Sequence, residues 1–136
     1  MRLLNSENVE YLVVGGYAVA FHGYPRATGD LDIWIETSPV NADRVRRVLR
    51  EFGFSQELVA SAPLSVPDQI IRIGNPPLRI ELLTTVSGVD FHTCHRRRET
   101  RVLDTTDVFL ISREDLLVNK RAAGRAKDIA DLEELG

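Results

Sequence analysis

Apolar positions along this chain follow two different periods, and the changes between them mark out its elements. VEYLVV (Val9–Val14) is a short, β-branched apolar run that stops at Gly15-Gly16, the pattern of a buried strand. LDIWIE (Leu31–Glu36) alternates strictly, with Leu31, Ile33 and Ile35 on one face and Asp32, Trp34 and Glu36 on the other. Between these strands Tyr17–His22 reads as a short helix closed by Gly23. The period then lengthens: Val45, Val48, Leu49 and Phe52 recur at i, i+3, i+4 and i+7, which predicts a helix burying one stripe. Ser38 is placed to cap it, Pro39 occupies its first position and Gly53 ends it.

Ser55–Asp68 has no clear period and is expected to be irregular. QIIRIG and LRIELLT then flank Asn75-Pro76-Pro77 as two strands joined by a tight turn, and Arg101–Leu103 and Val108–Ile111 read as further short strands. Two helices close the chain. Ser112 with Asp115 resembles a capping box for the first, with Asp in place of the usual Glu or Gln, and Gly124 separates it from a second carrying Ile129, Leu132 and Leu135. Met1–Glu7 reads as the last turns of a helix whose beginning is expected to precede this segment. Helices and strands are intermixed, so the expected class is α/β or α+β, a small mixed β-sheet flanked by helices.

Composition narrows the field without naming an activity. A chain of 136 residues predicts one domain over residues 1–136. With 43% hydrophobic and 27% charged residues it is an ordinary globular composition, which excludes disorder, collagen and coiled coil. One cysteine excludes an internal disulfide framework and predicts a reducing, cytoplasmic setting. No apolar run approaches the ~20 residues of a membrane span, so no membrane is expected. The net charge of −3 argues against binding nucleic acid by bulk charge alone.

Three features carry candidate chemistry. Gly15-Gly16 lies between a strand and a helix, where the lack of Cβ atoms lets backbone N–H groups approach a phosphate. Asp30 and Asp32 are two apart on a strand, so both carboxylates project to one side. Glu81 is an acid on an otherwise apolar strand, with Ile80 and Leu82 facing the other way. Hard oxygen donors of this kind suit Mg²⁺, which commonly takes one or two protein carboxylates and completes its shell with water and phosphate. Taken singly, a Gly-Gly is a turn, Asp-x-Asp recurs by chance, and Glu81 fits the solvent face of an antiparallel strand. Their ordered combination in the right settings is the specific signal.

The stretch YLVVGGYAVAFHGYPRATGDLDIWIE resembles the signature of the DNA polymerase β-like nucleotidyltransferase superfamily, a Gly-Gly turn followed at a distance by Asp-x-Asp. More narrowly, GGYAVAFHGYPRATGDLDI, RIELLTTVSGVDF and LLVNKRAAGRAKDIADLEEL resemble small bacterial and archaeal nucleotidyltransferases related to abortive-infection toxins. The resemblance implies the polymerase β-like fold. It also implies a nucleoside triphosphate donor, Mg²⁺ or Mn²⁺ as cofactor, an RNA or protein acceptor hydroxyl and a cognate antitoxin as partner. By the same resemblance Gly15 and Gly16 would seat the phosphates, with Arg26 and Thr28 lining the pocket. Asp30, Asp32 and Glu81 would hold the metal. Glu81 departs from the pattern, in which Asp is commoner. The resemblance further places Lys120 on the triphosphate and Asp128 as the group orienting a base or nucleophile, with Lys127 beside it.

Other readings stand next to this one. A catalytically lapsed interaction or regulatory module would keep the fold without the reaction, and phosphate-ester hydrolysis would use the same acids with water as acceptor. Lys127 and Asp131, four apart, also read as a surface pair, and Lys120 and Arg121 as cations at a helix end. Phe91-His92-Thr93-Cys94-His95 lacks the second cluster that structural zinc wants and reads as a surface turn or short helix with a half-buried Cys. Arg96-Arg97-Arg98 with Arg101 reads as a solvated edge or as a guide for an RNA backbone. Tyr17, Phe21, Tyr24 and Trp34 read as core aromatics or as platforms for a base. The exposed ends of so small a sheet leave a homodimer open.

Overall fold

The computed structural model describes residues 1–24, 29–74 and 79–135. Strands β1 (Tyr11–Val14), β2 (Asp30–Ile35), β3 (Ile70–Ile73), β4 (Arg79–Leu83), β5 (Glu99–Leu103) and β6 (Thr106–Leu110) form one mixed sheet in the order β3-β4-β2-β1-β6-β5. The pairs β3/β4, β2/β1 and β6/β5 are antiparallel, and β4/β2 and β1/β6 are parallel. Helices α1 (Arg2–Ser6), α2 (Gly15–Phe21), α3 (Pro39–Glu51), α4 (Gln56–Ser61), α5 (Phe91–Arg96), α6 (Arg113–Ala123) and α7 (Ala126–Leu135) complete the domain. The expected mixed sheet flanked by helices is the observed fold.

Alternation along β1 and β2 divides the core between the two sheet faces. Tyr11, Val13, Ile33 and Ile35 pack with Leu4, Val45, Val48, Leu49, Val59 and Leu64 from α1, α3, α4 and the turn after it. Leu12, Val14 and Trp34 pack on the other face with Phe91, Cys94, Leu116 and Leu135 from α5, α6 and α7. The strand register Val14↔Asp32 and Leu12↔Trp34 carries this alternation from one strand to its neighbour.

Local chemistry explains the best-marked boundaries. Ser38 caps α3 by accepting from the Asn41 N–H at 3.2 Å, and Pro39 opens the helix as expected. The buried Asn41 accepts from the Glu10 N–H at 2.8 Å and donates to the Glu36 carbonyl at 2.7 Å, which fixes the helix to the ends of β1 and β2. Phe52, expected on the buried stripe, is exposed instead, because α3 ends before it and Gly53 turns the chain away. The stretch expected to be irregular contains α4, whose cap is the Ser55 hydroxyl. A helix of 6 residues offers too few positions for a readable period.

The β5–β6 hairpin turns on Asp104 and Thr105, both at positive φ, as a type I′ turn requires. Ser112 accepts from the Asp115 N–H as a capping box would, but the Asp115 carboxylate does not return to the cap. It is buried and bidentate with Arg97, at 2.6 and 3.3 Å, which ties α5 to α6. Gly124 closes α6 in the left-handed conformation. The turn expected at Asn75-Pro76-Pro77 lies outside the described residues.

Candidate active site

Tertiary pairing brings the three expected acids together. Asp30 and Asp32 lie on the same side of β2 as Trp34, and parallel pairing sets Asp32 beside Glu81 and Asp30 beside Arg79. On the next strand Arg72 stands opposite Glu81. Glu81 is therefore no solvent-face residue of a purely antiparallel ladder. Its side chain is only 16% exposed and faces Asp32 on a parallel neighbour.

Two guanidinium groups hold the outer acids. Arg79 donates from Nε and Nη2 to the two oxygens of Asp30, both at 3.1 Å, and Arg72 donates from Nε to Glu81 Oε1 at 3.1 Å. The hydrogen bonds from Arg79 hold the Asp30 carboxyl below the usual carboxylate range and raise Arg79 in turn. Asp32 has no such partner. Among the described residues its buried Oδ1 finds no hydrogen-bond partner. Burial first, then the Glu81 charge and a hydrogen bond shared with Glu81, push the Asp32 carboxyl up to about 6, against the opposing charge of Lys127. Among the described residues no three Asp, Glu, His or Cys side chains are grouped to hold an ion, and two of the three acids are turned onto arginines.

Gly15 abuts this acid pair. It follows Val14, the register partner of Asp32, and sits at the start of α2 with φ +68. A Cβ there would overlap the Asp32 carboxylate, whose Cγ would lie 3.1 Å away. Glycine is thus required twice, for the left-handed backbone and for the close approach. Gly23 has φ +96 but open space around it. Gly15→Ala should therefore lose more than the ~1–2 kcal/mol of left-handed strain that Gly23→Ala incurs. Thermal melts of the two variants check this; equal losses would mean that Asp32 yields freely to a methyl group.

A cleft of about 300 Å³ opens beside these residues, lined among others by Gly15, Asp32, Ser87, Asn119, Lys120 and Arg125. Lys120 thus shares a cleft with Gly15 and Asp32, but its side chain is 3% exposed and its ammonium already engaged, 3.1 Å from Asp128 Oδ1 and 3.0 Å from Asp131 Oδ2. Asp128 also accepts from the Arg125 N–H and guanidinium, at 2.7 to 3.3 Å. Burial works to raise the Asp128 carboxyl, but Arg125 and Lys120 outweigh it and hold it low. Both Asp128 oxygens are occupied by cations, so the geometry suits a group that positions Lys120 and Arg125 better than one that orients a base. The surface pair read for Lys127 and Asp131 is replaced: Asp131 is buried on Lys120, and Lys127 is exposed with its charge felt at Asp32.

Several other readings resolve. Arg26 and Thr28 lie outside the described residues. Phe91–Arg96 is a helix whose Cys94 is fully buried, its thiol pushed up to about 12 by burial and then by the Asp115 charge. Arg97 is held by Asp115, Arg98 lies over the Phe109 ring and Arg101 pairs with Glu99. Trp34 packs edge-on against Phe91, and Tyr17, Phe21 and Tyr24 border the two apolar clusters. Sequence reasoning missed Arg72, Arg79 and Arg125. Arg79 had a readable signal, because Arg79 and Glu81 are two apart and must share a face.

A family model described as "Nucleotidyl transferase of unknown function (DUF2204)" matches residues 1–136. No curated protein matches the chain. Among solved structures, the chain is similar to TM1012 from Thermotoga maritima, described as a candidate nucleotidyltransferase, with TM-score 0.63 and 17% identity over 98% of this chain and 85% of that one. It is similar to the lincosamide antibiotic adenylyltransferase LnuA, solved with lincomycin bound, with TM-score 0.58 and 14% identity over 98% and 90%. It is also similar to an antigenic nucleotidyltransferase-like protein from Paracoccidioides brasiliensis, with TM-score 0.55 and 20% identity over 98% and 70%. At these identities the likeness concerns the fold.

Proposed function

As the chain belongs to the nucleotidyl transferase family DUF2204, we propose that it transfers a nucleoside monophosphate from a nucleoside triphosphate to an acceptor hydroxyl on RNA or protein. Pyrophosphate would leave. Asp30, Asp32 and Glu81 would hold Mg²⁺ or Mn²⁺. The observation that carries this reading is Asp32: a buried carboxylate oxygen without a partner, beside a second carboxylate and against a glycine that no other residue can replace without overlap. Such a group is destabilising unless a cation joins it, and three carboxylates offer the hard oxygens that Mg²⁺ prefers. When bound, the metal supplies charge neutralisation for the phosphates and acidifies the attacking hydroxyl.

The chain's own residues do the rest. Gly15 lines the cleft at the head of α2, where it and Gly16 would seat the phosphates. Arg125 and Lys127 present exposed cations beside Asp32, and Asp128 fixes the Arg125 guanidinium in place. Lys120 lines the same cleft and, through Asp128 and Asp131, holds α6 to α7 behind it. Glu81, next to Asp32, is the candidate to accept the proton of the acceptor hydroxyl.

The test is incubation with each radiolabelled nucleoside triphosphate, Mg²⁺ or Mn²⁺, and total cellular RNA and protein. A labelled macromolecule is expected and would identify donor and acceptor together. Release of free monophosphate without transfer would identify hydrolysis instead. No label in any combination, with no Mg²⁺-dependent nucleotide binding by calorimetry, would leave the interaction module.

A further inference from the structure

Building on the metal site proposed above, we propose that Arg72 and Arg79 stand in for the cation in the metal-free protein. On arrival of the metal–nucleotide complex they exchange their carboxylates for phosphate oxygens. The arrangement is written in the register. Asp30, Asp32, Arg79, Glu81 and Arg72 project from one face of β2, β4 and β3, with carboxylates and guanidinium groups interleaved. Three acids meet two arginines, and the acid left over is Asp32, the one with the unpartnered oxygen. Arg125, which lines the cleft, is committed to Asp128.

Both arginines are built to let go. The side chains of Arg79 and Arg72 are 37% and 58% exposed, whereas the carboxylates they hold are 27% and 16% exposed. Arg72 holds Glu81 by one bond from an exposed side chain, a weak arrangement, and Arg79 holds Asp30 by two from a side chain itself over one-third exposed, so each guanidinium can swing outward without disturbing the core. The same planar fork that grips a carboxylate grips a phosphate equally well. A divalent ion arriving alone must displace the guanidinium groups and leaves them unpaired. A metal–triphosphate complex brings them new acceptors. Metal and nucleotide should therefore bind with positive coupling, and by linkage each should raise the affinity of the other by the same factor.

The experiment is calorimetric and thermal-shift titration of EDTA-treated wild type, Arg79→Ala, Arg79→Lys and Arg72→Ala/Arg79→Ala. Each is titrated with Mg²⁺ alone and then with Mg²⁺ in the presence of ATP, CTP, GTP or UTP in turn. Wild type should bind Mg²⁺ on the order of tenfold more tightly with its nucleotide than without. The double variant should bind Mg²⁺ alone about three- to tenfold more tightly than wild type, bind the metal–nucleotide complex about tenfold more weakly, and lose the coupling. Arg79→Lys, which keeps the charge without the fork, should fall between wild type and Arg79→Ala and so reports even if a truncation folds poorly. Unchanged affinity for Mg²⁺ alone in the arginine variants, with binding intact in wild type, overturns the exchange and leaves the metal site standing. Absence of Mg²⁺ binding in every protein, with and without nucleotide, overturns the metal site itself and the exchange with it.

Discussion

The Asp32→Asn protein should be the more stable one in EDTA and the inactive one in Mg²⁺. Without a cation, Asp32 places a charged, partly buried carboxylate beside Glu81, with one oxygen lacking any partner. An amide keeps the shape, removes the charge and can donate to Glu81. The displacement of the carboxyl from 3.8 to about 6 corresponds to about 3 kcal/mol at most. Asp32 is partly reached by solvent, and screening reduces this to about 1–2 kcal/mol, or roughly 3–8 °C in Tm for a domain of this size.

The pH dependence has a definite sign. The folded state holds the Asp32 proton more tightly than the unfolded state. Wild type therefore has its full stability from this group below the unfolded value of 3.8 and loses it as pH rises through about 6. The variant lacks that titration, so the difference between the two metal-free melting curves should open between about pH 4 and 7. Saturating Mg²⁺ should reverse the order by raising the Tm of wild type alone. Transfer should fall on the order of a thousandfold. A variant less stable than wild type in EDTA at neutral pH would show that Asp32 is satisfied within the fold. A variant with full transfer would remove Asp32 from the reaction.

Lys120→Ala should be strongly destabilising. Lys120, Asp128 and Asp131 are each no more than 2% exposed, and one ammonium serves both carboxylates across the junction of α6 and α7. Its removal takes from two buried carboxylates the ammonium they share, while Asp128 keeps the Arg125 N–H and guanidinium. Breaking such a cluster costs about 3–5 kcal/mol, or roughly 10–20 °C in Tm. Replacement of the whole cluster by apolar groups, Lys120→Met with Asp128→Leu and Asp131→Leu, should recover most of that loss, because no buried charge is then stranded. The rescued protein also separates the two parts read for Lys120. Retained nucleotide affinity would make its role positional. A rise in KM for the nucleotide at recovered stability would put its ammonium on the phosphates.

Much of the site could be read from local pattern. Asp30 and Asp32 had to share a face because a strand repeats every two residues, and Glu81 had to oppose Ile80 and Leu82 for the same reason. Ser38-Pro39 and Gly124 mark helix ends by capping chemistry that acts within a turn. Where the pattern misled, the cause was nonlocal or too short to register. Phe52 keeps the spacing of a buried stripe, yet the helix stops before it reaches the core. Lys127 and Asp131 have the spacing of a helix pair, but Asp131 goes to a lysine on the preceding helix.

The sequence alone determined which residues stand side by side within one element: the mixed class, the Asp pair and the glycine turn. Tertiary structure decided what faces what. The parallel pairing of β2 with β4 put Glu81 beside Asp32 and Arg79 on Asp30. The antiparallel pairing of β1 with β2 set Val14 opposite Asp32, so that the chain turns at Gly15 against its carboxylate. Side-chain periodicity is a property of one strand or helix, whereas register between strands far apart in sequence is chosen by the packing of the whole core.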